Sequence, residues 1–452
     1  MAKRVLLLAY MFPPILDGGA FRPLAFARYL PDFGYEPVVL TRPDTGNLPL
    51  DPSQLDKLLP CVRVERVPAG FADGWTDHFR RRFAWLRPVE AVLGQPRGWI
   101  ADGVAWRISR GDEVRRWEIA WMRPAISVGL ELIERYRPDA ILATAPPFET
   151  LKAGLELHHR TGVPLVADFR DPWTYGVLWN PASAKRARVE LAWEQRVIHA
   201  ASKVIVVTPS MQRTMIESYP DSSSKIELVM NGYEDLSETD ASPPEDRFVL
   251  SYIGAVMERR LPAVLFEALR RLRSGHPDVA ASVRLRLIGP NLDTFSPADR
   301  IRGEGLSDMV EWLGAVSHKR SRELMRSSHV LLHIESTATY AVSGKLFEYL
   351  AAGRPVLGMT PPGSDDEWFL HQSGAGMNVG LDDADRIAAA IHAKWQEWRR
   401  GQLAVIIDPA WLGQFHRREQ TRKLAGFLDE IADPQHESGG RTLIGSAKGR
   451  TQ

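Results

Sequence analysis

The segment "SGKLFEYLAAGRPVLG" (residues 343–358) decides the fold of this chain. Ser343 is a favoured N-cap residue, the apolar residues that follow recur at helical spacing, and Gly353 is suited to the left-handed position that ends a helix. The flanking segments "HVLLHI" (329–334) and "PVLGM" (355–359) are short apolar runs typical of buried parallel strands. The pattern therefore predicts a strand, a loop, a short helix and a second strand, as in a parallel sheet covered by helices.

One acidic residue on the predicted helix, Glu348, needs an explanation. Ligands of doubly wound sheets bind beyond the carboxyl ends of the strands, where helix N-termini offer free N–H groups to anions. Lys345 in the first turn is unfavourable unless an anion lies nearby, and Glu348 can accept hydrogen bonds from sugar hydroxyls. The alternative is an exposed lysine–glutamate pair at i,i+3 spacing.

The composition is that of a globular protein with a substantial core. The chain has 452 residues, of which 44% are hydrophobic and 25% are charged, enough for two or three domains. A formal net charge of +1 argues against a general nucleic-acid-binding protein. The single cysteine, Cys61, cannot form an internal disulfide and fits a reducing compartment.

The sequence contains no predicted membrane-spanning helix, because no run of about eighteen uncharged apolar residues occurs. The first residues, "MAKRVLLLAYMFPP", are interpreted as the first buried strand, since the apolar run is short and lacks a small-residue cleavage site. We expect a cytoplasmic protein whose membrane contact, at the inner face, is peripheral.

The amino-terminal half alternates predicted strands and helices. Strands are predicted in "RVLLLAY" (4–10), "PVVLT" (37–41), "AILAT" (140–144), "PLVADFRDPW" (164–173) and "KVIVVTPS" (203–210). Polar or small residues follow each strand, among them Gly18, Gly19, Pro147, Asp168, Arg170 and Asp171. These residues should gather at one edge of the sheet.

The strand pattern lapses between about residues 70 and 125, where six tryptophans occur. The stretch "HFRRRFAWLRP" (78–88) combines arginines with aromatic residues, a composition that suits a membrane interface or an acidic lipid-linked ligand. The alternative is a helical insertion whose aromatic side chains pack on the domain.

An acidic segment with paired prolines, "YEDLSETDASPPEDR" (233–247), is typical of a linker between domains. A second set of predicted strands follows it, so two similar sheets should enclose a cleft. We predict a first domain at 1–232, a second at 248–412, a helix at 413–432 that returns to the first domain, and a disordered tail at 433–452.

Seven motifs resemble those of GT-B glycosyltransferases of the family-4-like, group 1 type, and the resemblance covers roughly residues 4–415. They are "YMFPPILDGGAFRPLAFARYL" (10–30), "APPFET" (145–150), "DFRDPW" (168–173), "VMNGYE" (229–234), "YIGAVMERR" (252–260), "IGP" (288–290) and "GKLFEYLAAGRPVL" (344–357). The resemblance implies an α/β fold with two Rossmann-like doubly wound domains that face each other across a cleft.

The resemblance also implies a donor site for a nucleotide-sugar. Breaking a sugar–diphosphate bond develops negative charge on the leaving phosphate, which cations and N–H donors stabilise. By motif position, the catalytic cations would be Arg259, Arg260 and Lys345, and the residue that binds the ribose hydroxyls would be Glu348. Further contacts with the donor would come from Gly18, Gly19, Gly254, Gly289, Pro290, Ser343 and Gly344. Alternatively, the two arginines are surface charges and the glycines serve turn geometry alone.

The acceptor is expected at the first domain, near Asp168, Arg170, Pro147 and Phe148. Asp171 is a candidate base for an inverting reaction, although the resemblance implies a retaining one. A structural salt-bridge network is the alternative for the three charged residues.

The sequence departs from the family pattern at one position that is expected to contact the donor sugar. Many similar enzymes carry a second glutamate eight residues before the one at Glu348, and this chain has Tyr340 there. Sugar recognition by an acid would then need Glu335, at the end of the preceding strand.

The sequence thus predicts a glycosyltransferase that moves a sugar to a saccharide or lipid-linked acceptor in cell-surface polysaccharide biosynthesis. No metal or cofactor is expected, because arginine and lysine supply the positive charge, and no nucleic-acid partner is expected. Two alternatives remain: a GT-B nucleotide-sugar epimerase or hydrolase, and a non-catalytic subunit that binds a nucleotide-sugar.

Overall fold

The structure is a computed structural model of the 452-residue chain. It describes residues 2–44, 50–67, 113–176, 179, 181, 183–235, 241–257, 263–291, 296–335, 340 and 342–432, with the backbone alone for 113–120. Arg259, Arg260, most of the predicted insertion and the predicted tail lie outside the described residues.

The first part of the described chain forms a parallel sheet of seven strands in the order β3-β2-β1-β4-β5-β6-β7. The strands are β1 (Lys3–Ala9), β2 (Tyr35–Thr41), β3 (Arg63–Arg66), β4 (Ala140–Ala145), β5 (Leu165–Phe169), β6 (Lys203–Val206) and β7 (Ile226–Leu228). The helices are α1 (Phe21–Tyr29), α2 (Glu113–Tyr136), α3 (Glu149–Thr161), α4 (Ala184–Ala200) and α5 (Pro209–Ser218). Short 3-10 helices occur at Gly18–Ala20, Leu30–Phe33, Pro52–Lys57 and Pro220–Lys225.

The second part forms a parallel sheet of six strands in the order β10-β9-β8-β11-β12-β13. Its strands are β8 (Phe248–Ile253), β9 (Val283–Ile288), β10 (Val310–Gly314), β11 (Val330–Ile334), β12 (Val356–Met359) and β13 (Gly376–Asn378). The helices are α6 (Ala263–Gly275), α7 (Pro277–Ser282), α8 (Pro297–Gly303), α9 (His318–Arg326), α10 (Gly344–Ala351), α11 (Asp365–Ser373), α12 (Ala384–Arg399), α13 (Pro409–Gly413) and α14 (Arg417–Ala432). These two sheets confirm the predicted α/β class.

Alternating side chains of β1 explain why both faces of the first sheet are covered. Leu6 and Leu8 belong to one apolar cluster, whereas Leu7 belongs to another that includes Leu424 and Leu428 of α14. The last helix therefore packs on the first sheet, beside α1, although it follows the second sheet in the chain.

The segment that decides the fold forms the predicted strand, helix and strand. The hydroxyl of Ser343 accepts a hydrogen bond from the N–H of Lys345 at 3.3 Å, which caps α10. Gly353 follows the helix with φ of +65°, a conformation that suits glycine. The loops that follow β11 and β12 thereby lie at the carboxyl edge of the second sheet.

Helix α2 carries the described end of the predicted insertion. The indole of Trp121 is buried and meets Tyr10 edge-on, with 5.5 Å between ring centroids. This aromatic residue packs on the domain, as the alternative interpretation of the insertion expected. No described helix is long and apolar enough to cross a membrane.

Candidate functional site

Arg170 joins two loops at the carboxyl edge of the first sheet. Its guanidinium donates hydrogen bonds to the carbonyl oxygens of Gly19 and Pro146, and to that of Ala145 at 3.1 Å. Burial lowers its pKa, and the nearby charges of Asp168 and Asp171 oppose that shift. Arg170 thus holds the glycine loop that follows β1 against the proline loop that follows β4.

Asp168 is fully buried and engaged on both carboxylate oxygens. Arg22 of α1 donates to them at 2.8 and 3.1 Å, and the hydroxyl of Thr144 donates at 2.7 Å. Arg22 also donates to the carbonyl oxygens of residues 229 and 230. This arrangement favours a positioning role for Asp168 over direct contact with an acceptor.

The predicted acceptor residue Phe148 is half-buried beside the proline loop, next to buried Pro147. Its ring stacks on Trp173 with 4.7 Å between centroids and 5° between planes. The indole N–H of Trp173 donates to Glu190 of α4 at 2.8 Å. Trp173 is itself buried, so the stacking fixes the orientation of the Phe148 ring at this edge of the sheet.

Asp171 follows β5 and faces the second sheet. Burial raises the pKa of its carboxyl; Arg170 opposes the shift and the charge of Glu335 adds to it. Glu335 is buried at the end of β11, so carboxyl groups from the two sheets influence each other across the cleft. A raised pKa makes a carboxylate a stronger base and so a better proton acceptor.

A second contact across the cleft joins Tyr175 and Tyr340. Their rings meet edge-on at 5.5 Å between centroids, and the hydroxyl of Thr208 donates to the carbonyl oxygen of Tyr340 at 3.0 Å. Tyr340 therefore presents an aromatic ring toward the first sheet, at the position where similar enzymes carry an acid.

The loops after β8 and β9 are held by main-chain contacts. The N–H of Gly254 donates to the carbonyl oxygen of residue 288 at 2.8 Å, and the carbonyl oxygen of Pro290 accepts from the N–H of Val256 at 2.9 Å. Gly289 has φ of +149°, and a Cβ atom there would overlap the carbonyl oxygen of Gly254. The structure thus brings the three predicted donor residues together, and glycine at 289 permits the close approach.

Glu348 lies at the base of the interface between the two sheets, with 5% of its surface exposed. Lys345 donates to its carboxylate at 2.8 Å, and Nε2 of His318 lies 3.7 Å from the other oxygen. Burial would raise the pKa of Glu348, but Lys345, His318 and Arg417 together hold it well below the usual range. The carboxylate is consequently ionised at neutral pH and able to accept hydrogen bonds.

A small pocket adjoins Glu348 where the two parts of the chain meet. Its charged lining consists of Arg28, Lys57, Arg322 and Arg417 with the carboxylates Glu234 and Glu348. Phe21 of α1 closes one side by stacking on His318, with 5.2 Å between centroids. Burial lowers the pKa of His318, which favours the neutral imidazole.

Several of these residues were not among the predicted site residues, including Phe21, Arg22 and Arg417. Phe21 and Arg22 come shortly after the glycine pair in the first motif, so that motif could have identified them. No local sequence pattern identifies Arg417, at the start of α14. Among the described residues, no three histidine, cysteine, aspartate or glutamate side chains form a group that could hold a metal ion.

Two family models match the chain in succession. Residues 17–235 match Glycosyltransferase Family 4, and residues 247–396 match Glycosyl transferases group 1. A curated relative, D-inositol 3-phosphate glycosyltransferase of Arthrobacter sp. (strain FB24), is 23% identical over 275 residues, which are 59% of this chain and 62% of the relative. The chain thus matches less than two thirds of that relative's length.

Solved structures share the fold over nearly the whole chain. The Anabaena protein Alr3699/HepE, solved with UDP and glucose, is 15% identical with a TM-score of 0.61, covering 95% of this chain and 100% of that one. A putative UDP-N-acetylglucosamine 2-epimerase from Listeria monocytogenes is 12% identical with a TM-score of 0.51, covering 94% and 95%. At such identities the likeness establishes the shared two-sheet architecture.

Proposed function

Because the chain belongs to the GT-B glycosyltransferases of group 1, we propose that it transfers a sugar from a nucleotide-sugar to a saccharide or lipid-linked acceptor. The cellular setting that we propose is cell-surface polysaccharide biosynthesis. The observation that carries the proposal is Glu348, a buried carboxylate kept ionised at the interface of the two sheets. An ionised carboxylate in such a place suits the two hydroxyls of a ribose.

The donor diphosphate is proposed to bind at the start of α10. The N–H groups of Ser343 and Gly344 and the ammonium of Lys345 supply positive potential at a helix N-terminus. Arg259 and Arg260, which follow β8 in the sequence, are proposed to add positive charge to the leaving phosphate. These groups supply the electrostatic stabilisation for which other enzymes use a metal ion, so we propose a metal-independent reaction.

The acceptor is proposed to bind against Phe148 and Pro147, with its hydroxyl toward Asp171. The raised pKa of Asp171 suits a group that takes a proton as the glycosidic bond forms. Arg170 and Asp168 would act by holding the loops in place. Asp171 as the base belongs to an inverting reaction, whereas the family implies retention of the anomeric configuration. NMR of the product's anomeric proton distinguishes the two, and a retained configuration would exclude Asp171 as the base.

Uridine nucleotides are the first donors to test, since HepE was solved with UDP and with UDP-glucose. The experiment measures binding and slow hydrolysis of a panel of nucleotide-sugars by the wild type, Glu348→Ala and Arg259→Ala/Arg260→Ala. The chain offers matched controls at the C-terminal end of α12. Glu397 pairs with Lys394 at the same i,i+3 spacing and a distance of 2.8 Å, and Arg399 and Arg400 are adjacent exposed arginines.

We expect one donor to bind and to release free nucleotide slowly, with binding lost in both site variants. Glu397→Ala and Arg399→Ala/Arg400→Ala should behave as the wild type. If Glu348→Ala and Arg259→Ala/Arg260→Ala bind the nucleotide-sugar as tightly as the wild type, the proposed donor site is wrong.

The two alternatives give different results in the same assay. An epimerase or hydrolase turns over the nucleotide-sugar at full rate without any acceptor. A non-catalytic subunit binds the donor tightly with no turnover when saccharide or lipid-linked acceptors are added.

A further inference from the structure

Helix α4 presents an unusual outward face. Its exposed side chains are Ala184, Lys185, Arg188, Val189, Leu191, Ala192, Gln195, Arg196 and His199. Val189 and Leu191 are 41% and 42% exposed, and Arg196 lies over the ring of Trp193 at 4.3 Å. At helical spacing the cations occupy the middle of this exposed face, and Val189 and Leu191 lie toward its two edges.

Both carboxylates of α4 point inward. Glu190 accepts from the indole of Trp173 at 2.8 Å and pairs with Lys152 at 3.3 Å. Glu194 is fully buried. The outward face of the helix consequently carries cations without any acidic side chain, in a chain whose formal net charge is only +1.

We propose that this face of α4 docks on an anionic lipid surface. Cations on an amphipathic helix are attracted to the negative potential of acidic headgroups, and neighbouring apolar side chains gain by entering the boundary with the acyl chains. Lys185, Arg188 and Arg196 supply the charge, and Val189 and Leu191 supply the apolar contact.

The position of α4 connects this surface with the acceptor side of the site. The Glu190 side chain meets Lys152 in the first turn of α3, which starts directly after the proline loop at the carboxyl edge of the first sheet. The middle of α4 therefore lies beside Phe148 and Trp173. Docking of α4 on a membrane would bring a lipid-linked acceptor to the carboxyl edge of the first sheet. This part of the proposal rests on the proposed function.

The experiment is co-sedimentation of the full chain with vesicles of equal parts phosphatidylcholine and phosphatidylglycerol, beside vesicles of phosphatidylcholine alone. Two variants test the charge and the apolar contact separately: Arg188→Glu/Arg196→Glu and Val189→Ser/Leu191→Ser. Arg399→Glu/Arg400→Glu reverses two exposed arginines at the C-terminal end of α12 and is the matched control.

We expect the wild type and the control to bind the anionic vesicles and to release them at high salt. Arg188→Glu/Arg196→Glu should lose at least ~30-fold in vesicle affinity, the loss that two cations near an anionic surface would cause. Val189→Ser/Leu191→Ser should weaken binding severalfold on both vesicle types. Circular dichroism of each variant shows that α4 and the fold are intact.

Nucleotide binding, measured without vesicles, separates this proposal from the proposed function. A wild type that binds a nucleotide but not anionic vesicles overturns the membrane surface and leaves the donor site standing. Equal vesicle binding by the wild type and Arg188→Glu/Arg196→Glu places any lipid contact elsewhere and overturns the role of α4.

Discussion

Arg22 and Asp168 form a buried ion pair, with 2.8 Å between Nη2 and Oδ1 and side chains that are 7% and 0% exposed. The pair joins α1 to the end of β5, and further hydrogen bonds from Arg22 reach the carbonyl oxygens at 229 and 230. One guanidinium therefore fixes three segments from which the edge of the first sheet is built.

Replacing Asp168 by alanine should destabilise the protein by about 3–5 kcal/mol, because the variant leaves a buried, uncompensated arginine. Urea unfolding followed by tryptophan fluorescence measures the change in the free energy of unfolding. Asp246→Ala breaks an exposed pair with Arg247 and should leave the unfolding midpoint unchanged. If Asp168→Ala has the same unfolding midpoint as that control, the ion pair does not stabilise the fold, and Asp168 is again a candidate for contact with the acceptor.

Glu194 should make stability depend on pH near neutrality. Burial raises the pKa of this carboxyl to about 7, and Thr174 opposes the shift. In the unfolded chain the pKa is about 4.3, so the folded state binds the proton more tightly and loses stability as pH rises from about 4 to about 7. Glu194→Gln removes the titration and should be more stable than the wild type by up to about 3 kcal/mol above pH ~7.5.

Thermal melts between about pH 4.5 and pH 8 test this expectation, and the two curves should converge at the acid end. Glu217→Gln, at an exposed position of α5, is the control and should follow the wild type at every pH. A constant gap between Glu194→Gln and the wild type would show that the amide changes packing rather than charge.

Local patterns were sufficient to predict most elements of both sheets. The apolar runs of β1, β4 and β11 and the cap and end of α10 depend on neighbouring residues, and the structure contains each of them. The edge strands β3, β7 and β13 were not predicted because they have only four, three and three residues, too few for a periodic signal.

The site was harder to predict because its contacts join distant parts of the chain. Arg22 meets Asp168 across 146 positions, and Arg417 donates to the carbonyl oxygen of Phe21 across 396. Hydrophobic periodicity carries no information about such polar pairs. Glu348 was predicted from its motif and its helix, whereas its neighbours His318 and Arg417 depend on how α9 and α14 pack.

Ser210 and Asp365 should control how tightly the two sheets close. The carboxylate of Asp365, in the first turn of α11, accepts from the hydroxyl of Ser210 at 2.8 Å and from its N–H at 3.3 Å. A hydrogen bond to a charged group contributes about 1.5–3 kcal/mol, so Ser210→Ala should shift the balance between closed and open forms about tenfold or more toward open.

Small-angle X-ray scattering measures this shift as a larger radius of gyration in Ser210→Ala than in the wild type. Ser218→Ala, at an exposed position of α5, is the matched control. An unchanged radius of gyration in Ser210→Ala would mean that other contacts, such as that of Tyr175 with Tyr340, hold the closed form.

Tyr340 should affect recognition of the donor sugar more than that of the nucleotide. Its ring contacts Tyr175 across the cleft and occupies the position where similar enzymes place an acid. Tyr340→Ala removes an aromatic contact of about 0.5–1.5 kcal/mol, so KM for the nucleotide-sugar should rise about 2- to 10-fold while Kd for the free nucleotide stays unchanged. Tyr340→Phe keeps the ring and should retain the wild-type KM. Equal losses for nucleotide and nucleotide-sugar in Tyr340→Ala would show instead that the ring supports the fold of the loop before α10, because a local packing defect does not discriminate between the two ligands.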